Sequence, residues 1–298
     1  MNDQARRGTV LGLGAYLMWG LFPLYWPLLE PADALQILSH RIVWSLVSVV
    51  VLFAVMRLPV RAFPRDRRRI VLLIAGGVLI GVNWGVYIWA VNNHHVVETS
   101  LGYFINPLVS VALGVLVLGE RLRRAQWSAV AIAALGVVVL TLAAGRPPWI
   151  ALSLAFSFGT YGLVKAIVNV GAIEGLVVET AALTPAALVF LTVGDAPHNF
   201  VAHGAGHALL LMTTGVVTVA PLLAFAGAAA RIPLNRLGVM FYMTPTIQFL
   251  IGILLRHEPV SAGRLAGFAL VWVALAIFTV DTATHHRRQL TIVAEAVA

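Results

Sequence analysis

Along this chain, long apolar runs alternate with short joints that hold most of the polar and charged residues. A helix needs about 20 apolar residues to cross a bilayer. Ten runs reach that scale: Thr9–Leu29, Ala34–Met56, Ile70–Val91, Val97–Leu118, Ala125–Ala143, Pro148–Ile167, Gly175–Val193, His207–Ala228, Leu234–Leu255 and Ala262–Asp281. Strands of a membrane barrel would instead alternate over about 10 residues. These runs are longer and apolar on every face, so the pattern predicts an all-α polytopic membrane protein with ten transmembrane helices. Arg6 and Arg7 precede the first run as they would in a secretion signal, but that run is too long for one and contains Trp19, Pro23, Trp26 and Pro27. It reads as a span that is kept.

Composition sharpens the picture. Of 298 residues, 60% are hydrophobic and 11% charged, with a mean hydropathy of +0.92. Soluble domains carry about 25% charged residues, so a soluble enzyme and a disordered chain are both excluded. With zero cysteines there is no disulfide framework, thiolate nucleophile or Cys-ligated zinc. The net charge of +8 is of the kind nucleic-acid binders carry, but its distribution argues against that partner. Sixteen basic residues fall at one set of ends: Arg6 and Arg7, Arg57 to Arg69, Arg121 to Arg124, Lys165, Arg231 and Arg236, and Arg287 and Arg288. The alternate joints hold only Arg146, Arg256 and Arg264. The positive-inside rule then places both termini in the cytoplasm of a bacterial inner-membrane protein. The expected partners are membrane lipid and a small-molecule substrate, without nucleic acid. A homodimer is compatible with the sequence, which leaves oligomeric state open.

A weak self-similarity appears at an offset of 138 residues, pairing Gly77 with Gly215, Pro107 with Pro245, Gly114 with Gly252 and Glu120 with Glu258. The repeat unit is five helices. An odd unit inserted twice lies upside down in its second copy, a frequent construction in secondary transporters. The division expected is residues 1–145 and 146–284 as two inverted five-helix repeats, with 285–298 as a cytoplasmic tail.

Several segments are similar to a known family. They are Gly14-Ala15-Tyr16-Leu17-Met18-Trp19-Gly20 with Pro23-Leu24-Tyr25-Trp26; Ser39-His40-Arg41-Ile42-Val43-Trp44-Ser45; Asn83-Trp84-Gly85-Val86-Tyr87-Ile88-Trp89-Ala90-Val91-Asn92; and Ser100-Leu101-Gly102-Tyr103-Phe104-Ile105-Asn106-Pro107-Leu108. These resemble RarD-type proteins, and Leu118-Gly119-Glu120 resembles the repeat ending of the EamA family within the drug/metabolite transporter superfamily. In the second half His257-Glu258-Pro259 departs from the usual Gly-Glu. The resemblance implies a ten-helix, two-repeat inner-membrane transporter, with no substrate fixed by the pattern. Alternating-access export of a small metabolite or drug is the function expected; a passive pore or facilitator is the alternative.

Candidate chemistry centres on Arg41, the one arginine placed well inside an apolar run. A charge at depth costs about 2.5–3.5 kcal/mol on insertion scales. It would repay that cost either by gripping a carboxylate or phosphate from a wet chamber or by snorkelling to the nearer surface. Glu179 falls on Arg41 at the 138-residue offset and is a candidate charge partner or proton carrier. His40 titrates near neutrality. Trp44, Asn83, Trp84, Tyr87, Tyr103, Asn106, Tyr242 and Gln248 are the remaining candidates for a substrate-binding wall. Gly77, Gly81 and Gly85 form a small-residue stripe suited to close helix packing. Asn106-Pro107 and Thr244-Pro245 predict bends in the fourth and ninth runs. His198, His203 and His207 with Asp195 read as a solvated loop rather than a metal site. No Walker A, GxSxG or HExxH pattern occurs, so neither catalysis nor a cofactor is expected.

Overall fold

A computed structural model describes residues 3–57, 64–119, 121–193 and 198–297; the side chains at 198, 199, 234, 235 and 285–297 fall outside the description. Among the described residues the chain is helical, with no strand. The spans are α1 (Asp3–Gly20), α2 (Ala34–Val55), α3 (Arg67–Asn92), α4 (Val96–Leu118), α5 (Arg124–Ala144), α6 (Trp149–Val168), α7 (Ala172–Thr192) and α8 (Gly204–Ala229). The ninth span, α9, is assembled from Leu234–Phe241, Met243–Leu250 and a π-helical turn Ile251–Leu255; α10 is Ala262–Val297. Among the described residues nine helices are long and apolar enough to cross a membrane, and ten when α1 is joined to its bent continuation. The protein is an all-α polytopic membrane protein.

The ends of the spans obey local chemistry that hydropathy does not register. Asp33 caps α2, its carboxylate accepting from Leu35 N and Gln36 N while Gln36 Oε1 accepts from Asp33 N. Asp66 caps α3 and starts it at Arg67, three residues before the apolar run begins. Gly119 and Gly145 end α4 and α5 at φ 70° and 66°, a left-handed conformation that glycine adopts without strain. At the far end α10 runs helically to Val297, through residues expected to form a tail.

The breaks in the spans meet one expected bend and add another. The sharp break is in α1: Phe22–Leu29 turns 43° from Asp3–Gly20, at Leu21 and just ahead of Pro23 and Pro27. Pro107 lies inside an unbroken α4, whereas α9 breaks at Tyr242, within the turn that precedes Pro245, where the proline ring clashes.

Packing runs mainly across the sequence halves. α1 lies against α8 and α9, α6 against α3 and α4, and α2 against α8 and α7. α3 packs on α7, α4 on α9, and α5 on α10. The glycine stripe serves this packing. A Cβ on Gly77 would lie 3.0 Å from the Glu179 carbonyl oxygen, and one on Gly81 3.2 Å from Leu183, so α3 meets α7 nearly backbone to backbone. One apolar core joins α4, α5, α6, α9 and α10 around Leu101, Leu108, Leu140, Phe249 and Phe268; another gathers Trp26, Leu29, Ile37, Ile88, Leu154 and Leu211.

Candidate functional site

Arg41 is 3% exposed, a third of the way along α2. Its Nε donates to Thr218 Oγ1 of α8 at 3.0 Å, so the side chain reaches from the first half of the chain to the second. Aromatic rings cover the guanidinium: its carbon lies 3.9 Å from the Trp84 ring centroid, 4.9 Å from Trp26 and 5.7 Å from Phe22. Such contacts offset part of the desolvation of a buried cation, by about 2 kcal/mol where water is excluded. None of the ion pairs among the described residues includes Arg41. Its Nη1 is buried without a hydrogen-bond partner.

The hydroxyls of Tyr25, Tyr87 and Tyr103 lie within electrostatic reach of this cation. Tyr87 and Tyr103 meet edge to face at 5.7 Å. Tyr103 donates to Asn83 Oδ1 at 3.3 Å, and Asn83 Nδ2 donates to Leu154 O and Ser157 Oγ of α6. Tyr25 and Thr213 of α8 share a hydrogen bond at 2.7 Å. Buried polar groups are ordinarily paired, yet Trp26 Nε1 and Tyr87 Oη are buried with no partner. Arg41 is thus a cation without a carboxylate partner, enclosed by aromatic rings, with unpartnered polar groups beside it. Such an arrangement suits the anionic end of a small amphipathic molecule.

The structure brings together Arg41, Asn83, Trp84, Tyr87 and Tyr103. Other predicted residues lie in different company. His40 stacks on Phe200 at 4.9 Å, and Trp44 faces the same ring at 6.5 Å, beneath the short helix His198–Ala202. Asn106 is 7% exposed with Oδ1 unpartnered, beside Gly159 of α6. Tyr242 turns to α10, where its hydroxyl meets Thr279 Oγ1 at 3.3 Å. Gln248 uses Nε2 to hold the Trp19 carbonyl at 3.2 Å, which leaves its Oε1 buried and unpartnered.

The expected pairing of Arg41 with Glu179 does not form. Glu179 is 1% exposed and accepts from Lys165 Nζ at 2.9 Å and Tyr161 Oη at 3.1 Å. Lys165 sits in the last turn of α6, whose C-terminus lies a short loop from the start of α7, so the nearer cation takes the carboxylate. Lys165 is therefore not the loop cation it was counted as. Among the described residues no three His, Cys, Asp or Glu side chains gather as metal ligands. His207 Nε2 meets the Leu29 carbonyl at 2.9 Å, and its ring lies 5.4 Å from His203; Asp195 and the His198 side chain fall outside the described residues.

Sequence reading missed Phe22, Trp26 and Thr218. The aromatic residues lie in the Pro-rich end of the first run, beside Pro23 and Pro27. Thr218, in a uniformly apolar run, carried no signal.

Comparison with known proteins places this arrangement in a class. Residues 6–142 match the EamA-like transporter family. The chain belongs to that family, and a protein called RarD from Streptomyces exfoliatus is 53% identical over 96% of this chain and 92% of its own length. An uncharacterized transporter of Pseudomonas aeruginosa is 46% identical, covering 95% of this chain and 96% of its own. A crystal structure of another protein superposes with a TM-score of 0.58 over 91% of this chain and 96% of that one; at 19% identity it bears on the fold alone. The names of the family and of these relatives indicate a transporter.

Proposed function

We propose that the chain is a secondary transporter of the bacterial inner membrane that exports a small organic metabolite or drug by alternating access. Its substrate carries a carboxylate or phosphate held by Arg41. The observation that carries this reading is the buried Arg41 Nη1, unpartnered where the two halves of the chain meet. A cation kept at that depth without a carboxylate is retained at a cost, and an anionic ligand would offset it. Trp84 and Trp26 lie against the guanidinium, whose planar fork can give the two-point hydrogen bonding that carboxylate or phosphate recognition uses.

Residues 1–145 and 146–284 act in this proposal as inverted repeats. Exchanging the halves turns the α1–α8 contact into α6–α3, and α1–α9 into α6–α4, which supports the reading. Both termini are cytoplasmic, on the charge asymmetry of the joints. Reporter fusions after Arg69 and after His198 should report opposite sides of the membrane; the same side for both would contradict this topology. Purified protein in proteoliposomes should concentrate its substrate, with the gradient lost on adding a protonophore. Equilibration without concentration would assign a passive facilitator instead.

A further inference from the structure

At the end of α9 the chain is shaped to return a carboxylate to another helix. The π-helical turn Ile251–Leu255 closes with Arg256 N donating to Ile251 O at 2.9 Å. His257 takes a left-handed φ of 51°, and Glu258 N donates to Gly252 O at 3.0 Å. Glu258 is thereby laid on the first turn of α4, where Oε1 accepts from Val96 N at 2.6 Å and Oε2 from Val97 N at 2.8 Å. Glu258 is 9% exposed, and its carboxylate satisfies two of the amides that a helix start leaves without partners. Helix caps ordinarily come from the adjoining residue, but His95 supplies no side-chain cap to α4. The capping group comes instead from the other half of the chain.

Further ties join the halves at this same face. Arg256 Nη2 donates to Pro23 O at 3.2 Å, and His207 Nε2 meets Leu29 O at 2.9 Å. Gly252 lies so close that a Cβ there would be 2.7 Å from Val97 Cγ2. Toward the opposite face Arg123 pairs with Asp281 of α10, but among the described residues no hydrogen bond or ion pair joins α4 beyond Pro107 to α9. The α4–α9 seam is tied at one end only.

We propose that Glu258 is a gating residue: its carboxylate latches α9 to α4 and holds the outer face closed, and its release from Val96 and Val97 opens that face. This inference rests on the alternating-access reading above. Two charge-assisted hydrogen bonds are strong enough to hold a state and few enough to exchange for water.

The test uses the absence of cysteine in the chain. Thr218→Cys places a lone thiol against Arg41, and an impermeant maleimide is applied from either side of oriented vesicles. Labelling from the inner side should proceed, and labelling from the outer side should be slow. Glu258→Gln should raise the outer-side rate about tenfold, since an amide keeps the shape but loses the charge. Glu258→Asp should fall between the two. In a second variant, Val96→Cys with Gly252→Cys is combined with Val97→Ala, which clears the 2.7 Å contact with Val97 Cγ2, and the pair should oxidise. A Cβ on Gly252 lies 3.5 Å from Val96 Cβ, within the span of about 3.5–4.5 Å that a disulfide needs. With that bond closed, outer-side labelling at position 218 should stop while inner-side labelling continues. Unchanged outer-side rates in both variants, with inner-side labelling intact, would overturn the latch and leave the transport reading standing. Labelling from neither side in any variant would overturn both.

Discussion

α2 and α7 each bury one full charge, at positions 41 and 179 that stand 138 residues apart in the matching register, and the two charges are solved in opposite ways. Glu179 is satisfied by Lys165 and Tyr161, both from the helix that precedes it. Arg41 takes one hydroxyl and the aromatic rings of Phe22, Trp26 and Trp84, with one nitrogen left over. The parallel extends to the surroundings, because in each half the company comes from the last turns of the first helix: Phe22 and Trp26 after α1, Tyr161 and Lys165 in α6. A charge with its partners built in can serve structure alone. A charge with an open hydrogen-bonding edge asks for a ligand.

The comparison is sharpened by substitutions that should behave differently on the two sides. Glu179→Gln leaves the partly buried Lys165 without its counter-charge; breaking a fully buried pair from one side costs about 3–5 kcal/mol, and the cost here should approach the lower end. Thermal unfolding in detergent should show a large loss of stability, and Glu179→Leu with Lys165→Met should recover most of it. If the double variant stays as unstable as the single one, the pair is not the isolated structural unit described here. Thr218→Val removes the acceptor of a charged donor, and the expected loss is about 1.5–3 kcal/mol. A stability unchanged by that substitution would show that Arg41 does not depend on α8. Smaller again, Trp84→Leu removes the closest ring over the guanidinium for about 1–2 kcal/mol beyond the packing change, while Trp84→Phe should retain about half of that. Arg41→Ala and Glu179→Ala should be additive within about 0.5 kcal/mol in a double-mutant cycle, since no ion pair joins them. A coupling of about 2 kcal/mol would restore the pairing that the sequence register suggested.

Much of the fold is written plainly in the sequence because membrane crossing demands long uninterrupted apolar runs, and the run limits fall near the observed helices. The helix ends are less plain: Asp66 and Gly171 act through hydrogen bonds and backbone angles, and α3 and α7 begin before their apolar stretches. Arg41 was legible for the same reason as the spans, as a lone cation where none belongs. Its neighbours were not. Trp84 and Tyr87 lie on the adjacent helix, but Thr218 is 177 residues away and nothing distinguishes it from Thr214 in sequence. Lys165 was misread because it stands at the edge of its run, where a cation usually faces water, and only the return of α7 puts a carboxylate beside it. Tyr242 and Gln248 share their polar character with a binding wall, yet the hydroxyl of Tyr242 and the amide nitrogen of Gln248 go to local packing partners.

The open nitrogen of Arg41 is tested most directly by ligand-dependent thermal stability. Purified protein is scanned against a panel of small carboxylates, phosphates and neutral analogues of each, alongside Arg41→Lys, which keeps the charge and loses the planar fork. A ligand present at a hundred times its Kd stabilises the native state by about 2.7 kcal/mol, a shift of about 5 °C or more for a chain of this size. The account predicts that at least one anion raises the Tm of the parent by that amount, that its neutral analogue does not, and that the shift disappears in Arg41→Lys. An anion that stabilises the parent and Arg41→Lys equally, or a panel in which neutral compounds alone bind, would contradict it.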